Sequence, residues 1–356
     1  MSTADNNLSC DLLMEKAFAS FINRYFHSEV VNEENISLVP GVTAGLDMVA
    51  TSICDPHDVI LCPVPYYLRI HADFGERAQV GVIPVSILDR ENDGQFKLTV
   101  DSIAEAYENA TAKGLHVRAV LLVNPHNPVG SVTPPETILN ILHYAASKNL
   151  TVLFNEIYAF STFDPKCSFE SVLSYFYKVP DPQRIIWIWG LSKDFCIPGA
   201  RLAIAFSQNR QIISYIRRLH FLQPTSAAME LGICKLVSDY EWVDSFLKTN
   251  QSRLRTAFEL TSKRLTEFGI AHTRTSAGFF VMLDLRKFLK EQTFEEERKL
   301  EARFGQNNVL LICGENQLCA QPGWFRMIFT LDIDSLEEGL ARIHKTLNSL
   351  EEAIGG

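Results

Sequence analysis

Residues 151–160 read TVLFNEIYAF, and this stretch decides the fold. An apolar run from Val152 to Phe154 is followed at once by two polar residues, Asn155 and Glu156. A short run without polar alternation is typical of a strand that is covered on both faces, as in a parallel α/β sheet. Ligands bind at the carboxyl ends of such strands, so the polar residues that follow them are candidates for a functional site.

Other apolar runs support the same interpretation, and helical patterns separate them. They are DVILCPV (58–64), AVLLVNP (119–125), RIIWIWG (184–190) and ARLAIAF (200–206). Strands that alternate with helices predict an α/β fold in which a mostly parallel sheet lies between layers of helices.

The pattern changes after residue 207. A long helical stretch covers about 227–268, and a terminal helix is predicted over SLEEGLARIHKTLNSLEEAI. Between them, GFFVMLDL (278–285), NVLLICG (308–314) and WFRMIFT (324–330) read as strands. We therefore predict a large domain over 21–245, a smaller α+β C-terminal domain over 246–356 and an N-terminal arm over 1–20.

Composition and charge exclude several classes of function. The chain has 356 residues, 47% of them hydrophobic and 21% charged, which is typical of a soluble globular protein of two domains. A formal net charge of −9 argues against a nucleic acid or an anionic membrane as the main partner. The sequence shows no signal peptide and no apolar run of the roughly 20 residues that a membrane span needs, so we expect a cytoplasmic protein. The eight cysteines form no CxxC pair and are interpreted as reduced thiols, and no metal site is predicted.

Two of the candidate site motifs are loops at strand ends. Pro40-Gly41-Val42-Thr43 precedes an apolar-periodic helix, and the free N–H groups at such a helix start can bind an anion, although a plain capped helix would look the same. NPHNPVG (124–130) follows the AVLLV strand, and its two Asn-Pro pairs predict a rigid loop that aims Asn127 in a fixed direction, or simply a turn.

Three basic residues complete the set of candidates. Lys193 lies just past the RIIWIWG strand, where a desolvated lysine near other cations can form a Schiff base, but a solvated loop lysine is the alternative. Arg201 could hold a phosphate. Arg326, in GWFR (323–326), could clamp a carboxylate or pair with a surface acid.

The order and spacing of these motifs resemble a known family. GVT (41–43), PYY (65–67), NPHNPVG, NEIY (155–158), SKDFCIPGAR (192–201) and GWFR are similar to fold-type-I pyridoxal-phosphate enzymes of the class I/II aminotransferase family. The resemblance covers nearly the whole chain and is closest to the 1-aminocyclopropane-1-carboxylate synthase group. TADNNLSCDLLMEK (3–16), QFKLTVDSIAEAY (95–107), TFEEERKLEARF (293–304) and QPGWFRMIF (321–329) resemble that group in particular.

The resemblance implies pyridoxal 5′-phosphate as the cofactor and an α-amino acid as the substrate. Lys193 would form the Schiff base with the cofactor and then move the substrate α-proton. Arg326 would bind the substrate carboxylate, and Asp5 matches, more loosely, a substrate-side glutamate. The other implied contacts are with the cofactor: Val42, Thr43, Ser192 and Arg201 at its phosphate, Tyr67 stacked on its ring, Asn127 and Tyr158 at its phenolic oxygen, and Asn155 at its ring nitrogen. A homodimer is implied as well.

The sequence departs from the family pattern in three places. Asn155 stands where the family has an aspartate, and an amide cannot keep the ring nitrogen protonated. Gly190 stands where many members have a phosphate-binding serine. The segment that normally separates the N-terminal motif from the helix AFASFINRYF is missing here, and it carries a tyrosine that reaches the partner subunit's cofactor phosphate. These departures predict weaker cofactor binding and weaker chemistry at the substrate α-carbon.

Three hypotheses about function follow. The first is a synthase-like α,γ-elimination on S-adenosylmethionine, and the second is transamination between an amino acid and a 2-oxo acid. The third is a catalytically impaired homologue that keeps the fold and serves as a binding or scaffold protein. Asn155 and the missing segment favour the third hypothesis, whereas intact Lys193, Asn127, Arg201 and Arg326 favour the first two.

Overall fold

The computed structural model describes residues 3–89, 92 and 94–355, and the side chains of residues 3–12 and 351–355 lie outside that description. The helices are α1 (Thr3–Tyr25), α2 (Val42–Ile53), α3 (Ile70–Gly75), α4 (Val100–Ala112), α5 (Pro135–Ser147), α6 (Leu191–Asp194), α7 (Arg210–Leu222), α8 (Ala227–Ser238), α9 (Tyr240–Glu267), α10 (Phe294–Gln306) and α11 (Ile333–Gly355). The strands are β1 (Ile36–Val39), β2 (Val59–Val64), β3 (Gly81–Ser86), β4 (Val117–Val123), β5 (Thr151–Asn155), β6 (Ile185–Gly190), β7 (Ala203–Phe206), β8 (Ala271–His272), β9 (Phe280–Asp284), β10 (Ile312–Cys313) and β11 (Trp324–Ile328).

The large domain is built on a seven-stranded sheet in the order β1-β7-β6-β5-β4-β2-β3. β3, β2, β4, β5 and β6 pair in parallel, whereas β7 is antiparallel to both of its neighbours. Alternate residues of β5 face different cores: Val152 and Phe154 join one apolar cluster and Leu153 joins the other. Helices cover both faces, which explains why the middle of β5 is an unbroken apolar run.

The parallel pairing brings three strand ends to one edge of the sheet. Val123, the last residue of β4, pairs with Asn155, the last residue of β5, and Asn155 pairs with Ile188 of β6. Since parallel strands run in the same direction, the loops after β4, β5 and β6 begin side by side. This edge is where the predicted site residues of those loops meet.

The small domain has a four-stranded antiparallel sheet in the order β10-β11-β9-β8. Its core includes side chains of α9, α10 and α11. The long helix α9 belongs to both domains, because Val243 and Leu247 pack in the core of the large domain and Leu254 and Leu265 in that of the small one. The predicted domain boundary near residue 245 lies on this helix.

The first helix packs on the large domain. α1 is continuous from Thr3 to Tyr25, and its apolar side chains Phe18, Phe21 and Ile22 are buried in the core. Its Glu15 carboxylate accepts a hydrogen bond from Arg217 of α7 at 2.9 Å. The predicted N-terminal arm over residues 1–20 therefore falls mostly on this helix.

Some predicted elements differ from the structure. The stretch 227–268 is two helices that meet at Asp239, whose side chain caps α9 by accepting a hydrogen bond from Trp242 N. The predicted strand 308–314 shortens to β10, because Val309 N bonds to the end of α10 and the side chain of Leu310 is 90% exposed. The apolar pattern of 308–311 therefore did not produce a strand, because these residues follow the end of the helix α10 and have no strand beside them in the described part of the chain.

Two further observations concern expectations drawn from composition. In the part of the chain that the structure describes, no helix is long and apolar enough to cross a bilayer. The seven cysteines whose side chains are described are free thiols, and three of them, Cys62, Cys313 and Cys319, are buried.

Candidate active site

A cavity of about 370 Å³ lies between the carboxyl edge of the large sheet and the small domain. This volume is within the range of small-molecule sites. Every predicted site residue except Asp5 lines it: Val42, Thr43, Tyr67, Asn127, Asn155, Tyr158, Ser192, Lys193, Arg201 and Arg326. Asp5 lies in α1, and its side chain is outside the described part of the chain.

One end of the cavity offers hydrogen-bond donors and a cation that suit an anion. Helix α2 begins after Gly41, which has φ 90° and supplies no side-chain cap, so the first N–H groups of the helix are left without intrahelical acceptors. The guanidinium of Arg201 lies against the same turn and donates hydrogen bonds to Pro40 O at 3.2 Å and Pro198 O at 3.1 Å. A cation beside a helix N-terminus suits a phosphate.

Gly41 is required at this position by both its backbone and its surroundings. Its φ is in the left-handed region, and a Cβ atom there would lie 2.5 Å from Arg201 Nη2. The glycine therefore lets the guanidinium approach the start of α2 closely.

Lys193 projects into the cavity from the short helix α6, directly after β6. Burial lowers the pKa of its amine, and the nearby Arg326 guanidinium lowers it further. A lysine with a depressed pKa is more often neutral, and a neutral amine is a nucleophile and a proton acceptor.

Asn127 connects the two domains within the cavity. Its Nδ2 group donates to Tyr158 Oη at 3.4 Å, and its Oδ1 accepts from Arg326 Nη1 at 3.2 Å. Buried Arg326 Nε has no hydrogen-bond partner among the described residues. An unpaired guanidinium N–H in a cavity is suited to a carboxylate, because the fork of arginine donors matches that group.

Tyr158 is buried beside this pair. Its ring makes edge-on contacts with Phe279, at 5.6 Å between centroids, and with Phe280, at 5.2 Å. Burial raises the pKa of its phenol, so the hydroxyl stays protonated and can donate a hydrogen bond.

Asn155, the first polar residue after the apolar run, lines the cavity with its amide. Its Oδ1 accepts a hydrogen bond from Ile157 N at 3.2 Å. A backbone N–H can be bonded only by the amide oxygen, so the Nδ2 group is the one left to donate. No carboxylate occupies this position, which matches the departure noted in the sequence.

Glu156, the second polar residue, has a structural role away from the cavity. It is fully buried and accepts hydrogen bonds from Ser171 Oγ at 2.6 Å, Trp187 Nε1 at 2.7 Å and Val172 N at 3.1 Å. Burial raises the pKa of its carboxyl to about 7. These three donors explain why a buried strand end carries an acid there.

Gly190 is closely packed against the neighbouring strand. A Cβ atom at this position would lie 2.8 Å from the Cβ of Ala203 and 3.1 Å from Leu202 O. A serine there would need β7 to move, so the sequence departure at Gly190 fits the local packing of β6 on β7.

Sequence reasoning missed several residues that line the cavity. They are Leu46, Ile70, Asp73, Val123, Ile157, Pro198, Phe279, Phe280, Ile328 and Thr330. Asp73 is the one acid among them: it accepts a hydrogen bond from Arg69 Nε at 3.2 Å, and burial raises its pKa to about 6. No signal in the sequence marks it, because α3 has only six residues and its periodicity does not show which side is buried.

Comparison with known proteins identifies the family. The family model "Aminotransferase class I and II" matches residues 6–343. The chain belongs to this family. It is 34% identical, over 96% of its length, to the 1-aminocyclopropane-1-carboxylate synthase-like protein 1 of Takifugu rubripes. It is 33% identical, again over 96% of its length, to the human probable inactive 1-aminocyclopropane-1-carboxylate synthase-like protein 2. The chain spans 56% and 61% of the lengths of these two relatives.

A solved structure with the same fold is the aromatic aminotransferase from Pyrococcus horikoshii. It superposes with a TM-score of 0.83 at 18% identity, over 96% of this chain and 86% of that one. The predicted fold class, a fold-type-I large domain with a smaller α+β domain, is confirmed. The predicted membership of the class I/II aminotransferase family, close to the synthase-like proteins, is also confirmed.

Membership of this family implies pyridoxal phosphate as the cofactor, and the residues present fit that group. The cavity combines an anion-binding end at Arg201 and α2 with a half-buried lysine amine. It also offers hydrogen-bond donors at Asn155 and Tyr158 and an aromatic ring at Tyr67. These features match a phosphate, an aldehyde and a flat heterocycle that carries polar atoms.

Proposed function

We propose that the protein is a pyridoxal-phosphate enzyme that acts on α-amino acids, with chemistry like that of the 1-aminocyclopropane-1-carboxylate synthase group. One observation carries the proposal: the Lys193 amine, with its lowered pKa, shares one cavity with Arg201 and Arg326. These cations suit a phosphate at one end and a substrate carboxylate at the other.

Binding of the cofactor is assigned to several residues of the cavity. Arg201, Ser192 and the N–H groups at Val42 and Thr43 would hold the phosphate, and Tyr67 would stack on the ring. Asn127 and Tyr158 would donate to the phenolic oxygen. Asn155 Nδ2 would donate to the ring nitrogen, which therefore has to remain unprotonated.

The reaction depends on where protons are held. When bound, pyridoxal phosphate supplies a ring that withdraws electrons and stabilises negative charge at the substrate α-carbon. Arg326 would bind the α-carboxylate and orient the α-hydrogen toward Lys193. Lys193 Nζ, whose pKa is lowered by its environment, would take that proton and return it later.

The test of this proposal is an ultraviolet–visible spectrum of the purified protein with and without added pyridoxal phosphate. A visible absorbance band that is lost in Lys193→Ala and kept in Lys166→Ala, an exposed lysine, is the expected result. A protein without such a band would contradict the proposal.

Two chemistries compete within this function. Incubation with S-adenosylmethionine and detection of methylthioadenosine would support α,γ-elimination. Incubation with an amino acid and a 2-oxo acid, with detection of the new 2-oxo acid, would support transamination. Both need the proton transfer at Lys193, so the variant Lys193→Ala abolishes either product.

An impaired homologue that acts as a binding or scaffold protein is the second candidate function. The neutral amide of Asn155 favours it, since the ring nitrogen loses the charged partner that strengthens electron withdrawal. A relative at 33% identity carries the words "probable inactive" in its name. Cofactor binding without either product, at enzyme concentrations comparable to the substrate, would support this candidate.

A homodimer is part of the proposal. Phe221, 85% exposed, and Leu222 lie at the end of α7, and Tyr67 and Leu68 are exposed at the mouth of the cavity. Exposed apolar side chains of this kind mark interaction surfaces. Light scattering after size-exclusion chromatography, with Phe221→Asp as the disrupting variant, would test whether two copies associate.

A further inference from the structure

We propose that Asp194, the residue after Lys193, is a positioning residue for the proposed reaction. Its buried carboxyl is bonded to Trp189 and fixes the short helix α6, so that the Lys193 amine enters the cavity at a set position. The inference rests on the proposed function, in which Lys193 bonds to the cofactor, and it adds a residue that lies outside the cavity.

Helix α6 needs an anchor, because it is too short to be stable alone. It has four residues, Leu191–Asp194, and no side chain caps its start at Gly190. An isolated helix of fewer than about 12 residues is marginal in water, so contacts with the rest of the protein must hold this turn in place. The position of the Lys193 amine depends on those contacts.

Asp194 makes such a contact on the side of α6 that faces away from the cavity. Successive side chains on a helix point about 100° apart. Lys193 lines the cavity, whereas Asp194 is not among the lining residues and is fully buried. Its Oδ2 accepts a hydrogen bond from Trp189 Nε1 at 2.8 Å, which ties the end of α6 to strand β6.

The indole that donates this bond is itself held firmly. Trp189 is fully buried, and its ring stacks on Phe21 of α1 at 5.4 Å between centroids. It also makes an edge-on contact with Phe160 at 5.7 Å. A donor packed in this way cannot follow a displaced acceptor, so the bond sets the place of Asp194 and, through the backbone, that of Lys193.

Stability alone does not explain this acid. No group that the structure describes bonds to Asp194 Oδ1, and a buried polar atom without a partner costs free energy, which indicates a role other than stability. Glu156, by contrast, uses both carboxyl oxygens in three hydrogen bonds. Burial raises the pKa of the Asp194 carboxyl to about 8, so the group is mostly uncharged at neutral pH. It therefore acts through its hydrogen bond rather than through its charge.

The rate at which the visible absorbance band appears tests the inference, when the full chain, freed of cofactor, is mixed with pyridoxal phosphate. In this step Lys193 Nζ bonds to the aldehyde carbon, and its two protons leave with the aldehyde oxygen as water. Asp194→Ala and Trp189→Phe should each slow the step by tenfold or more, because a displacement of about 1 Å can cost roughly a hundredfold in rate. Asp194→Asn should stay within about threefold of the wild type, because its amide oxygen still accepts from Trp189.

The matched control is Trp187→Phe. Trp187 is also a fully buried residue of β6, and it donates to a buried acid, Glu156, at 2.7 Å. Its replacement removes an equivalent bond that does not hold α6, so the band should form within about threefold of the wild-type rate.

A second measurement, calorimetric titration with pyridoxine 5′-phosphate, detects general damage to the site. This compound has a hydroxymethyl group in place of the aldehyde and cannot bond covalently to Lys193. All four variants should therefore bind it with the affinity of the wild type.

The outcomes separate this inference from the proposed function. A wild-type protein that forms no band would overturn both. If the wild type forms the band, equal rates in Trp189→Phe and Trp187→Phe would overturn the inference alone, and so would an Asp194→Asn variant that is slowed tenfold or more. The same holds if slower band formation is matched by an equal loss of affinity for pyridoxine 5′-phosphate. If Asp194→Ala does not fold, the two tryptophan variants and Asp194→Asn decide.

Discussion

Arg326 Nη1, on a strand of the small domain, donates a hydrogen bond to Asn127 Oδ1, in a loop of the large domain, at 3.2 Å. The same Asn127 donates through Nδ2 to Tyr158 at 3.4 Å. The amide of Asn127 therefore positions two groups with different assigned partners. The Arg326 guanidinium would bind the substrate carboxylate, and the Tyr158 hydroxyl would bind the cofactor. The pair also holds the small domain against the edge of the large sheet.

The first prediction concerns this pair. Arg326→Gln should weaken binding of S-adenosylmethionine to the cofactor-loaded protein by roughly a hundredfold, because a charge-assisted hydrogen bond to the α-carboxylate contributes on the order of 3 kcal/mol. Asn127→Ala should have a smaller effect on substrate binding to the cofactor-loaded protein, about fivefold, since it leaves the Arg326 charge in place and removes the contact that orients it. Dissociation constants from calorimetry give both values.

The control for this prediction is Arg303→Gln, which changes an exposed arginine outside the cavity. The double variant of Arg326 and Asn127 should bind no more weakly than Arg326→Gln alone, because the two residues act together. Additive losses in the double variant would show that the contact between them does not orient Arg326.

The second prediction concerns the amide at the end of β5. Asn155→Asp should increase the rate of substrate α-hydrogen exchange by roughly a hundredfold, since a carboxylate keeps the ring nitrogen protonated and adds on the order of 3 kcal/mol of stabilisation. Exchange into D₂O, followed by proton magnetic resonance, measures this step whichever product forms. Asn155→Ala removes the donor without adding charge and should give no increase. An unchanged rate in Asn155→Asp would mean that the ring nitrogen is not opposite this residue.

Apolar runs predicted much of the fold and the site, because burial on both faces leaves a strong pattern. The strands that end at Val123, Asn155 and Gly190 were visible as such runs, and parallel pairing then brings their loops together. The role of Glu156 was not predictable, because its donors Ser171 and Trp187 are 15 and 31 residues away along the chain.

The sequence also did not show which apolar residues line the cavity. Phe280 and Ile328 read there as ordinary strand residues, and only the packing of the small domain against the large one makes them part of the cavity lining. Asp73 lies on a helix of six residues, which is too short for its periodicity to show a buried face. Tertiary packing, rather than local pattern, decided these positions.

The third prediction concerns the anion-binding end. Gly41→Ala should weaken the affinity for pyridoxal phosphate by at least tenfold, because the new Cβ would displace the Arg201 guanidinium from the start of α2. Gly114→Ala is a matched control: its φ is 76° and a Cβ there has no neighbour within 4 Å. Gly114→Ala should lose about 1 kcal/mol of stability from the positive φ, and Gly41→Ala should lose more because its Cβ also meets Arg201, but only Gly41→Ala should lose cofactor affinity. Equal cofactor titrations for the two variants would place the phosphate elsewhere.

The fourth prediction is a dependence of stability on pH that arises at Glu156. Burial raises the pKa of this carboxyl from 4.5 to about 7 in the folded protein. Between these values the folded state holds a proton that the unfolded state has released, so the free energy of unfolding falls as the pH rises from about 4.5 to 7. A pKa shift of this size lowers the free energy of unfolding by roughly 3 kcal/mol between these pH values, and above pH 7 the free energy falls no further from this group.

The variant Glu156→Gln isolates that contribution. At pH 5, where the folded wild type holds the proton, the variant should be less stable by about 1 kcal/mol. The amide nitrogen, unlike a carboxyl hydroxyl, cannot accept a hydrogen bond, so the N–H of either Trp187 or Val172 loses its acceptor. By pH 8 the difference should vanish or reverse, since glutamine has no proton to lose. Urea unfolding at pH 5, 6, 7 and 8 gives the free energy of unfolding of both proteins and shows how their difference changes with pH. The control Glu259→Gln, at an exposed position on α9, should show the same pH dependence as the wild type. A constant difference between Glu156→Gln and wild type across this range would show that Glu156 does not titrate in it.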